Sequence, residues 1–129
     1  MILAVTLALS ASGLGQMCVS QGEGSCQFVL QYGWPPASDI EFYADLYDHA
    51  CNKIASAEGV SVGTTMQGGL DHPVKITDCC FNNDGSEPAA TIEHLGKRYG
   101  APDYGVVGDC SSGLNSCAWV RYPFNCPGH

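Results

Sequence analysis

Eight cysteines in 129 residues constrain this chain more than any other feature: Cys18, Cys26, Cys51, Cys79, Cys80, Cys110, Cys117 and Cys126. Structural zinc modules need paired ligands at short spacing, such as two C-x-x-C units. None occurs here; the nearest pairs, Cys18–Cys26 and Cys110–Cys117, are separated by seven and six residues. An even count at wide, irregular spacing points to a disulfide framework formed in an oxidising compartment. No metal site and no cofactor motif follows from the pattern. The length suits one domain stapled covalently around a modest core.

The start of the chain agrees with that compartment. Residues 1–16, "MILAVTLALSASGLGQ", are apolar from residue 2 to residue 9 and then turn to small residues. That run is shorter than the roughly 20 residues a bilayer span needs. It reads as a secretory signal with Ala11 and Gly13 ahead of the cut, leaving residues 17–129 as a single secreted domain. The balance is acidic, with five Lys and Arg against thirteen Asp and Glu and a net charge of -8. Only Lys97 and Arg98 are adjacent, so the chain lacks the clustered cations that nucleic acid and anionic membrane surfaces demand. The expected partner is a protein or cell-surface target, met by a monomer without an integral membrane segment.

Along the chain, "SCQFVLQYG" (25–33) alternates Phe28, Leu30 and Tyr32 with Gln27, Val29 and Gln31, as a strand does. A helix is predicted next. Ser38 and Glu41 make a capping box, Ile40, Tyr43, Tyr47, Ala50 and Ile54 form a stripe, and Gly59 stops it. "VSVGTTMQGG" reads as a short strand, and "HPVKITDCCF" as a longer one. A second helix is predicted in "SEPAATIEHLGKRYG", with Ser86 as cap, Ile92, Leu95 and Tyr99 as apolar face, and Gly100 as terminator. "YGVVGDC" and "SCAWVRYPF" close the chain as strands. The predicted fold class is therefore α+β: a split β-α-β order (β-α-β-β-α-β), an antiparallel sheet with two helices on one face, disulfide-rich.

The cysteine doublet raises its own question, since neighbours in a strand point opposite ways. Alternation places Cys80 with Val74 and Ile76, facing the helices, where Cys51 is its predicted partner. Cys79, on the face of Phe81, is expected to reach a terminal segment through Cys18, Cys26 or Cys126. Cys110 and Cys117 can close locally with each other.

Among chemical candidates, His49, His72, His94 and His129 stand out. His72 and His94 with Lys75 could form a ribonuclease-like acid–base set, because imidazole serves as both acid and base. No H-E-x-x-H, nucleophile elbow or phosphate-binding glycine loop is present. "CFNNDGSEPAAT" lacks both essential carboxylates of a calcium loop. Trp34, Tyr122 and Phe124 are candidate partner anchors.

Cys51, "DCCF" (78–81), "TIEHLGKRYG" (91–100) and "GVVGDC" (105–110) together resemble small secreted cysteine-rich fungal proteins. The nearest groups are the necrosis-inducing effector family of plant-pathogenic fungi and the killer-toxin-like proteins. The likeness covers residues 40–110, and its motifs are loose. It implies a secreted, non-enzymatic effector or toxin-like binding protein acting on a host or competitor cell. The alternatives are a small secreted hydrolase or ribonuclease using His72 and His94, and a structural wall-associated protein.

Overall fold

The computed structural model describes residues 17–33, 41–81, 85, 87–100, 106–109 and 117–129. These hold nine strands: β1 (Ser25–Gly33), β2 (Glu41–Tyr47), β3 (Lys53–Glu58), β4 (Thr65–Met66), β5 (Val74–Phe81), β6 (Pro88–His94), β7 (Lys97–Gly100), β8 (Val106–Asp109) and β9 (Cys117–Asn125). A five-stranded sheet runs β3-β2-β1-β9-β8 and a four-stranded one β4-β5-β6-β7. Every pairing is antiparallel. The predicted α+β class is overturned: no helix occurs among the described residues, and both predicted helices are hairpins.

The first correction lies in residues 41–58. Phe42, Ala44 and Leu46 alternate with Tyr43, Asp45 and Tyr47, and the period of two prevails over the period of 3.6. Ala44 and Leu46 are buried opposite Leu30 and Phe28 of β1. Asp48 then turns the chain. Its carboxylate accepts the backbone N–H of Ala50 at 3.0 Å and of Asn52 at 2.8 Å. A local acceptor of this kind competes with helix continuation. Cys51, at φ 66°, completes the turn into β3. Ser38, the predicted cap, lies outside the described residues.

The second correction is the hairpin β6–β7. His94 pairs with Lys97, leaving the two-residue loop Leu95-Gly96 with φ of 53° and 77°. Two consecutive positive φ values match the right-handed twist of a hairpin. Strand β6 is buried from Pro88 through Ile92, so no amphipathic period survives in it.

The inner faces meet as a sandwich. Phe28, Leu30, Leu46, Val120, Tyr122 and Phe124 pack against Val74, Ile76, Ala90, Ile92, Met66 and Leu70 in one cluster. The Tyr122 hydroxyl accepts the Ala90 N–H at 3.4 Å, which joins the layers by a polar contact as well. Tyr122 and Phe124 are 3% and 2% exposed, so they are core residues and not the partner anchors predicted. Strand β1 is covered on its other face too. Val19 donates its N–H to Gln27 Oε1 at 3.0 Å and accepts from Gln27 Nε2, so the segment before β1 crosses that face.

The disulfides follow this architecture. Cys18 bonds Cys51, Cys26 bonds Cys126, and Cys79 bonds Cys80. The predicted Cys51–Cys80 pair is thus corrected, as is the reach of Cys79 to a terminal segment. Strict alternation fails here because the two cysteines bond each other and both pack against the core cluster. The β5–β6 ladder shifts between Ile76 and Asp78 just before them, and such a bulge interrupts the alternation on which the face assignment rested. The Cys110–Cys117 pairing lies outside the described residues.

Two stability outcomes follow. Leu95 is 52% exposed and left-handed. Leu95→Asn should therefore stabilise the protein by about 1 kcal/mol in urea unfolding; a loss of stability would contradict the turn. Cys26–Cys126 closes a loop of sequence separation 100, Cys79–Cys80 one of 1. Replacing the first pair by Ser should cost about 2–5 kcal/mol, and replacing the second should cost far less. Equal losses would argue against this connectivity.

Candidate functional site

The four histidines, spread from residue 49 to residue 129, converge at one end of the sandwich. A clasp of backbone hydrogen bonds brings them there. Cys126 N–H donates to Gly24 O at 2.9 Å, Gly24 N–H to His129 O at 3.1 Å, and His129 N–H to Cys126 O at 3.1 Å. The Cys26–Cys126 bond locks the same junction. Against this clasp open two pockets that share His129. One, of about 240 Å³, has Asp71, His72, His94 and His129 as its polar lining and Leu70, Leu95, Pro127 and Cys126 as its apolar lining. The other, of about 390 Å³, is lined by Glu23, Gly24, Asp48, His49, Gly128 and His129.

His94 is the most constrained of these groups. It ends β6, is 4% exposed, and sets its ring edge-on to Phe124 at 5.3 Å between centroids. Its Nδ1 lies 3.1 Å from the Pro73 carbonyl oxygen. A carbonyl only accepts, so Nδ1 carries the hydrogen, and in its neutral form the ring presents its lone pair at Nε2. His49 repeats the arrangement, with Nδ1 2.9 Å from the main-chain oxygen of His129.

The structure thus brings His72 and His94 into one pocket, as the acid–base reading requires. It does not bring Lys75, which pairs across the sheet with Glu93 and lines neither pocket. Asp71 and Glu23 are members of the site that the sequence did not assign, and His129 was a candidate without a role. Glu23 and His129 are brought in by the β1–β9 clasp, a long-range contact with no local signature, whereas Asp71 simply precedes His72. Among the described residues, no three His, Cys, Asp or Glu side chains gather to hold a metal ion.

A different surface occupies the other end of β1 and β5. Tyr32, Phe42 and Phe81 form a three-ring cluster with centroids 5.1 to 5.6 Å apart. Phe81 is 45% exposed and follows directly on the bonded Cys79–Cys80 pair. Trp34, the remaining predicted anchor, lies outside the described residues. Trp119, by contrast, is buried, and its indole lies over Gly108 of the neighbouring β8, where a β-carbon would overlap the ring.

A comparison with known protein families, with curated proteins and with solved structures gave no match in any of the three. The resemblance to the effector and toxin families therefore gains no support, and the strand–helix order that entered into it is not found among the described residues. The several disulfides are of the kind typical of extracellular proteins. No helix among the described residues is long and apolar enough to cross a membrane.

The turn beneath the larger pocket has a pH consequence. The Asn52 backbone N–H holds the Asp48 carboxyl below its ordinary value against the opposing effect of burial, helped by the Asn52 side chain, the Ala50 N–H and nearby His49. A depressed folded value means that stability is present above the unfolded value and is lost as pH falls through the folded one. Unfolding midpoints from pH 6 down to about pH 3 should therefore fall more steeply for the wild type than for Asp48→Asn, which keeps an acceptor but does not titrate. Parallel curves would show that the carboxylate does not hold this turn.

Proposed function

We propose that the protein is a secreted, disulfide-stapled β-sandwich that acts by binding, as an effector or toxin-like protein directed at a host or competitor cell. The observation that carries this reading is the aromatic cluster in which exposed Phe81 rests on half-buried Tyr32 and Phe42. Large aromatic rings supply binding energy at low entropic cost, since few torsions must be frozen. The rigid support matters as much. Phe42 and Tyr32 are paired in register between β1 and β2, and Phe81 is carried by the end of β5. Interface anchors held by strands lose less freedom on binding than anchors on loops.

The hydrolase or ribonuclease reading is the weaker one. It keeps His72 and His94 together but loses Lys75, and neither pocket is lined by a Lys or Arg that would neutralise a phosphodiester.

Fluorescently labelled protein can be titrated onto plant leaf protoplasts and onto yeast cells, with cell death scored in parallel. Saturable binding to one of them is expected, weakened at least about tenfold by Phe81→Ala, with an unchanged near-UV circular dichroism spectrum. The reading fails if neither cell type binds, or if Phe81→Ala binds as well as the wild type.

A further inference from the structure

The polar lining of the two pockets at the clasp is rich in hydrogen-bond acceptors. Glu23, Asp48 and Asp71 contribute carboxylates, and none of the lining residues is Lys or Arg. His94 and His49 both direct their Nδ1 hydrogens to main-chain oxygens, so in its neutral form each ring offers the Nε2 lone pair. Among the described residues His94 Nε2 has no hydrogen-bond partner, although the residue is 4% exposed and lines the smaller pocket. A nearly buried acceptor without a donor calls for one from outside. The apolar wall of Leu70, Leu95 and Pro127 suits a methylene stem that ends in such a donor. The net charge of -8 adds long-range attraction for a cation.

We propose that the pockets meeting at His129 form a recognition site for an organic cation of the ammonium or guanidinium class, with His94, Asp71 and Glu23 as its acceptors. Donor-rich cations satisfy what this end lacks: a charged N–H for each carboxylate and one N–H for His94 Nε2. Phosphates and carboxylates would meet the carboxylates of Glu23, Asp48 and Asp71 with no Lys or Arg beside them. The site is independent of the aromatic cluster, which lies at the other end of β1 and β5. Two sources carry the same chemistry: a free polyamine, or a Lys or Arg side chain on a partner protein.

The test is a calorimetric and NMR titration of the full, oxidised chain at low salt. The probes are spermidine and the blocked peptide acetyl-Gly-Lys-Gly-amide, with citrate as an anionic control. Saturable cation binding is expected, with resonance shifts at His94, His129 and Asp71. Asp71→Asn and His94→Gln should each weaken it about tenfold or more. Glu58→Gln, at the end of β3 and outside both pockets, should leave it unchanged. Binding of spermidine alone assigns a free polyamine; binding of the peptide as well assigns side-chain recognition. Asp71 is exposed, so its variant carries the test even if His94→Gln disturbs the fold. The proposal is overturned if neither cation binds, if citrate binds more tightly, if Asp71→Asn has no effect, or if Glu58→Gln weakens binding as much as Asp71→Asn does.

Discussion

The antiparallel pairing of β1 with β9 is the contact on which the rest of the molecule depends. It joins residues 25–33 to 117–125 in an unbroken register, through the middle of the larger sheet. Its inner face supplies Phe28, Leu30, Val120, Tyr122 and Phe124, the largest share of the core. Such a pairing between chain ends carries a high loop-closure cost. The Cys26–Cys126 bond lies within the same ladder, Cys26 opposite Phe124 and Cys126 one residue past the strand, so the covalent link offsets that cost where it arises.

The same pairing gives the sandwich two unlike ends. At one, the clasp folds residues 126–129 back on Gly24 and collects the four histidines with acidic neighbours. At the other, β1, β2 and β5 finish in Tyr32, Phe42 and Phe81, an apolar surface beside the Cys79–Cys80 ring. One end is polar and accepting, the other aromatic. The aromatic end is held by strands, the accepting end by the backbone clasp and the Cys26–Cys126 bond.

Where alternation ran without interruption, the chain could be read directly. Strands β1, β5 and β9 stand where the residues placed them, and Val120 and Tyr122 share a face opposite Trp119 and Arg121, as alternation requires. Helices were inferred where capping signals coincided with an accidental 3.6-residue stripe. Tyr43 and Tyr47 fit that stripe but equally fit the outer face of a strand, and only burial of Ala44 and Leu46 against β1 decides between the two. Leu95 hid the second hairpin, because leucine is a poor marker of a left-handed turn. Of the candidate site, His72 and His94 were visible as residues and Asp71 as the neighbour of His72, while the approach of His129 depended on a long-range contact. The doublet Cys79-Cys80 misled because strict alternation does not hold there: a bulge at Thr77, silent in the sequence, precedes it, and both cysteines pack against the core.

Mass spectrometric mapping of the disulfides after non-reducing digestion tests the account most directly, since the clasp, the hairpin turn at Asp48 and the cysteine doublet of β5 each carry one bond. The account predicts Cys18 with Cys51, Cys26 with Cys126, and Cys79 with Cys80. A Cys51–Cys80 bond, or Cys26 linked anywhere other than Cys126, would contradict it.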